Sequence, residues 1–200
     1  MAEKIITISR QFGSGGRTVG KKAAELLGIP CYDKEIIEEI SAKSGFAQDY
    51  ISEYSEDTEE SGFFSALSGR DYYGHSNRDE IWIHQCAVIR ELAEKGPCVI
   101  VGRCADYVLR ERTDLLKVYV FSDLDSRIER IVEQYGETSE IPEKRLKNKD
   151  KRRAAYYEIY TDQKFGDAAN YDLCLNSGRI GIDHCAQIIA DLYNSEDFGK

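Results

Sequence analysis

The stretch Ser9 to Thr18, SRQFGSGGRT, constrains this chain more than any other. It follows the strand-like run KIITI, Lys4 to Ile8, and sets Gly13, Gly15 and Gly16 close together just before a helical apolar periodicity begins. A strand, a glycine-rich turn and a helix start, in that order, let successive backbone N–H groups converge on an anion, and the helix dipole adds to the attraction. Glycine suits such a turn because a Cβ would block close approach and because several positions need positive φ. The helix that follows is expected from about Gly16 to Leu27, with Val19, Ala23, Leu26 and Leu27 on its inward face.

The same alternation continues downstream. IPCYD reads as a short strand ending in Asp33, and KEIIEEISAKSG as a helix stopped by Gly45. Residues Gln48 to Arg78 are the least regular part, acidic from Asp49 to Glu60 and then rich in aromatics at Phe63, Phe64, Tyr72 and Tyr73. A helix is expected from Asp79 to Lys95, with Ile81, Gln85, Val88 and Leu92 at helical spacing, and CVIVGR then reads as a buried strand. Leu115 to Phe121 is another strand and Asp125 to Tyr135 a helix with Ile128, Ile131 and Val132 inward. Ile141 to Tyr160 reads as basic helix, YDLCLN as the last strand, and Ile182 to Tyr193 as a closing helix.

Strands alternating with helices define an α/β fold with a mainly parallel sheet covered on both faces. Ligands of such sheets bind beyond the carboxyl ends of the strands. Ser9 to Thr18, Asp33, Gly102-Arg103 and Asn176 all directly follow predicted strands and are expected to gather at one edge. The length of 200 residues fits one domain, residues 1–200, with room for an inserted flap. A net charge of −9 argues against a nucleic-acid-coating surface, which needs a broad basic face. Neither a basic leader with an apolar run nor a stretch of about 18 apolar residues occurs, so the chain reads as soluble and cytoplasmic, without a membrane partner. The six scattered cysteines, with no C-x-x-C pair, read as mostly buried free thiols, and the three histidines match no metal-ligand spacing.

The common phosphate-loop signature G-x-x-x-x-G-K-S/T adds a lysine for the outer phosphates and a hydroxyl for Mg²⁺. Two registers are open here. Gly16-Arg17-Thr18 can stand for G-K-T, with Arg17 replacing lysine; alternatively Gly13 to Gly16 can stand for G-x-G-K, with Gly16 at the lysine position and Arg17 one step later. Both leave Arg17 near the phosphates and Thr18 near the metal, and arginine can fork onto phosphate oxygens. Far downstream, Glu143 to Arg153 holds seven bases against two acids, a net +5, which leaves −14 for the rest of the chain. A basic strip in an acidic protein points to a polyanion contact.

The ordered string SRQFGSGGRTVGKKAAELLG, CYDKEII, ELAEKGPCVIVGRCADYVL, KNKDKRRAAYYEIYT and NYDLCLN followed by GIDHCAQII resembles the cytidylate-kinase-like family, a branch of the P-loop nucleoside monophosphate kinases. The resemblance implies a three-layer P-loop kinase fold with a five-stranded parallel sheet, an inserted acceptor-binding segment over 34–95 and a basic lid over 137–165. It implies ATP and Mg²⁺ as cofactors, with Gly13, Ser14, Gly15, Gly16, Arg17 and Thr18 holding the donor phosphates and Thr18 the metal. By similarity Asp33 and Arg103 bind the acceptor, and Arg17, Arg152 and Arg153 act on the transferring group. The implied activity is transfer of the γ-phosphoryl group to a CMP-like nucleotide or another small acceptor. The sequence leaves room for a homo-oligomer without deciding it.

Two departures from the cytidylate-kinase pattern accompany this. D-G-R-D reads Val101-Gly102-Arg103-Cys104 here, so both acids are missing, and the loop lysine is absent. Asp33, Asp106 and Asp123 are the carboxylates available in their stead. The competing reading is a nucleotide-binding regulatory protein of the same fold without turnover. A dinucleotide enzyme is disfavoured, because GSGG is not G-x-G-x-x-G.

Overall fold

A computed structural model describes residues 4–53, 77–136 and 141–195. Five strands, β1 (Ile5–Arg10), β2 (Cys31–Tyr32), β3 (Cys98–Val101), β4 (Leu115–Phe121) and β5 (Leu173–Asn176), form one sheet in the order β2-β3-β1-β4-β5. Every pairing is parallel, with Ile5 opposite both Cys98 and Leu115. Such pairings need crossovers, and helices supply them.

Strand alternation sorts the core into two layers. Ile6 and Ile8 of β1, with Val99, Val101, Val118 and Val120, face α1 (Gly16–Leu27) and α9 (Ile182–Asn194). Ile5, Ile100 and Leu115 face α2 (Glu35–Ser44), α3 (Gln48–Glu53) and α4 (Asn77–Glu94) on the other side. Short turns α5 (Ala105–Val108) and α8 (Ser177–Ile180) follow β3 and β5. Between β4 and β5 run α6 (Leu124–Tyr135), the 20-residue α7 (Pro142–Thr161) and a 3₁₀ turn, Ala168–Asn170.

Several sequence expectations need correction. Leu26 is exposed, and α1 buries Gly16, Val19, Gly20, Ala23 and Ala24, small residues that let it lie close on the sheet. A Cβ on Gly20 would stand 3.2 Å from Val101 and 3.3 Å from Ile8. On α6 Ile131 is buried as expected, but Val132 is exposed and Arg127 takes an inward place, where it donates to Phe12 O. The irregular reading of 48–78 gives way at its start to α3, which buries Ile51. Phe63, Phe64, Tyr72 and Tyr73, with most of the acidic run, lie outside the described residues. All six cysteines are free, as expected, but Cys174 is exposed and Cys31 half-buried. Among the described residues no helix is long and apolar enough to cross a membrane.

Candidate active site

All three glycines of the turn are required by space, and two of them by conformation as well. Gly13 and Gly15 have φ of 76° and 77°. A Cβ on Gly15 would stand 2.4 Å from Ile182, and one on Gly16 2.5 Å from Arg10 Cβ. The turn is then fastened from behind through four consecutive carbonyls. Ser14 Oγ donates to Gln11 O (2.9 Å), Arg127 Nε to Phe12 O (2.8 Å), Arg130 Nη1 to Gly13 O (2.7 Å) and Ser177 Oγ to Ser14 O (2.5 Å). With those oxygens occupied, what the turn and the first turn of α1 have to offer a ligand is N–H groups, which lack intrahelical acceptors at a helix start.

In front of the turn is a cavity of about 260 Å³, lined by Gly13, Gly15, Gly16 and the cations Arg10, Arg17, Arg145, Lys149 and Arg153. No carboxylate is among its lining residues. The volume lies below the roughly 300–1,000 Å³ of sites that swallow a whole ligand, and suits a phosphate chain. Arg145, Lys149 and Arg153 recur every four residues on α7, so they share one face. Phe12 seats two of them, its ring centroid lying 5.5 Å from the Arg145 and 5.6 Å from the Arg153 guanidinium carbon. Arg153 is buried and donates to Arg10 O at 3.3 Å. Asp150, between them in sequence, docks α7 on the turn: it accepts from Phe12 N (2.7 Å) and pairs with the buried Arg127.

The structure brings together residues that the resemblance assigned to opposite substrates. Arg17 Nε lies 2.5 Å from Asp33 Oδ2, and Nη2 donates to Oδ1 at 3.3 Å. Asp33 is buried while Arg17 remains partly exposed at the cavity. Thr18 is exposed on the first turn of α1 and Arg152 is half-buried on α7; neither lines the cavity. Ser14, fully buried, acts through its hydrogen bonds within the turn.

Arg103 is buried at the end of β3 in an unusual turn. Gly102, Arg103 and Cys104 have successive φ values of 74°, 61° and 53°, and left-handed backbone at a residue with a Cβ costs about 1–3 kcal/mol. Gly102 N donates to Ile8 O (2.9 Å) and Ala105 N to Gly102 O (3.1 Å), so the turn is tied to the start of the glycine loop.

The other two candidate carboxylates have structural partners. Asp106 is buried and accepts from Tyr157 OH at 2.7 Å; burial pushes its carboxyl above the ordinary range. Asp123 caps α6 by accepting from Ser126 N and Oγ, both at 2.9 Å, which holds it below that range. Neither lines the cavity, and among the described residues no cluster of three His, Cys, Asp or Glu could hold a metal. The glycine cradle and five cations thus fit a polyphosphate. Among the described residues no group builds a protein metal site; Thr18 and Asp33 do not line the cavity, and Asp33 is held by Arg17.

Sequence reasoning missed Arg10, Phe12, Arg127, Arg130 and Asp150. The four-residue repeat of Arg145, Lys149 and Arg153 puts them on one face of α7, but bases on its other faces, such as Lys144 and Lys147, keep that repeat from marking the pocket face by itself. The buried arginines carry no periodic signal, since they stand where apolar residues are expected.

The model of the cytidylate kinase-like family matches residues 5–179. Cytidylate kinase of Archaeoglobus fulgidus is 29% identical over 188 residues, covering 92% of this chain and 91% of its own. That of Methanopyrus kandleri is 25% identical, covering 92% and 90%. Among solved structures, an uncharacterized protein from Eubacterium ventriosum superposes with a TM-score of 0.73 at 29% identity, over 96% of this chain and 99% of that one. Shikimate kinase from Acinetobacter baumannii shares the fold, with a TM-score of 0.57 at 19% identity and coverage of 98% and 96%. Parallel five-stranded sheet, glycine turn and matched sequence agree: the chain belongs to the cytidylate kinase-like family.

Proposed function

We propose that the protein transfers the γ-phosphoryl group of ATP to a small acceptor, a nucleoside monophosphate of the CMP kind in the first instance. The observation that carries this is the cavity in which five cations face a glycine turn whose carbonyls are engaged behind it. Relatives over nine-tenths of the chain are cytidylate kinases, which supports both donor and acceptor class. ATP supplies the phosphoryl group. The residues supply position and charge, which is most of what phosphoryl transfer asks of a protein.

In this reading the amides of 13–18 and Arg17 hold the donor phosphates. Arg145, Lys149 and Arg153 neutralise charge on the passing group, with Arg152 beside them. Residues 137–165 act as the lid that excludes water, and 34–95 hold the acceptor, whose phosphate meets Arg103 and whose nucleoside approaches Asp33. Mg²⁺ would travel with the donor phosphates. One observation favours the second reading, nucleotide binding without turnover: Arg17 is already held by Asp33. Incubation with γ-labelled ATP and a panel of nucleoside monophosphates and small hydroxy or carboxy acceptors separates the two. Labelled product from CMP is expected; ATP binding with no product from any acceptor would leave the regulatory reading standing.

A further inference from the structure

Gln85 is 1% exposed on α4, on the stripe otherwise made by Ile81, Val88 and Leu92. A buried amide on an apolar stripe must have both its ends satisfied, and this one joins two elements in doing so. Its Nε2 donates to Arg103 O at 3.0 Å, and its Oε1 accepts from Tyr156 OH at 3.2 Å. The first contact falls on the left-handed Gly102–Cys104 turn, whose flanking peptides are tied by Ala105 N to Gly102 O and by Tyr107 N to Cys104 O. Gln85 secures the peptide between them. The second contact falls on α7, three residues beyond Arg153. Trp82, one turn before Gln85, stacks on Tyr160 of α7 with centroids 4.3 Å apart and planes 13° apart, so α4 and α7 are in register there.

We infer that Gln85 is a positioning residue that links the backbone of Arg103 to the cation-bearing helix α7, so that an acceptor anion on Arg103 and a phosphate chain beneath α7 are held in one frame. The inference rests on the reading that Arg103 takes the acceptor's anionic group. A purely structural glutamine would support the fold but would not transmit acceptor binding to α7. A kinase whose two substrates meet between separate elements needs such a link, because small misplacement of the reacting groups slows transfer steeply.

The test uses the full chain and CMP as probe, with affinity read by calorimetry and α7 by hydrogen exchange. In the wild type CMP is expected to bind and to slow exchange of α7 amides. Gln85→Leu is expected to weaken CMP about tenfold, the effect of one lost buried hydrogen bond, with affinity for a non-hydrolysable ATP analogue nearly unchanged. Tyr156→Phe, which keeps the Gln85 to Arg103 contact, is expected to bind CMP like the wild type but to lose the CMP-dependent slowing in α7. Full CMP affinity in Gln85→Leu overturns the inference. If Gln85→Leu fails to fold, Tyr156→Phe decides, and retained slowing in α7 overturns it. Arg103→Ala separates the underlying reading: unchanged CMP affinity there, or no CMP binding by the wild type, sinks that reading and the inference with it.

Discussion

At the scale of single residues, the departure that matters is the loop cation. Arg17 stands at the cavity with Nε and Nη2 engaged by Asp33, which leaves Nη1 for a phosphate. Arg17→Ala is expected to weaken ATP-analogue affinity tenfold or more, about the loss of one charge-assisted contact, and to lower the melting temperature as well, because it leaves the buried Asp33 without its cation. Equal affinity would mean that the turn works through its backbone alone. Asp106 gives a pH-dependent prediction. Its folded pKa is raised by burial, so its stabilising contribution is complete below the unfolded pKa and is lost as pH rises through the folded one. Asp106→Asn, which still accepts from Tyr157, should therefore melt higher than the wild type near neutral pH, with the gap closing toward pH about 4. A gap independent of pH would contradict the assignment.

At the scale of elements, the glycine turn and α7 form one unit through Phe12, Asp150 and Arg127. Gly15→Ala is expected to destabilise the chain by about 1–3 kcal/mol, since alanine must adopt φ near 77° and its Cβ meets Ile182. Denaturant midpoints measure it, and a midpoint equal to that of the wild type would contradict the packing. Most elements were legible in the sequence because each strand is a short apolar run and each long helix keeps its period. The full inward faces of α1 and α6 were not, although Val19, Ala23 and Ile131 hold their expected places. Leu26 and Val132 lose their inward places to Gly20, Ala24 and Arg127, chosen by how closely a helix approaches the sheet or by which carbonyl needs a donor. On α7 the strip is basic all round, so sequence alone could not separate Arg145 and Lys149, which line the cavity, from Lys144 and Lys147.

At the scale of the whole molecule, parallel strands bring the ends of β1, β3 and β5 to one edge, and the sequence expectation of a gathered site is met in that sense. Gly102 bonds the end of β1 and Ser177, just after β5, bonds the glycine turn. A chain of net charge −9 thereby concentrates cations at a single cavity, which favours anionic ligands there. On the proposed function this cavity holds the polyphosphate of the donor. Calorimetry of a non-hydrolysable ATP analogue against the wild type and the Arg145→Ala/Arg153→Ala double variant tests it most directly. A loss of about a hundredfold or more is expected in the double variant, two charge-assisted contacts gone, with the fold retained by circular dichroism. Equal affinity in the two proteins would contradict it.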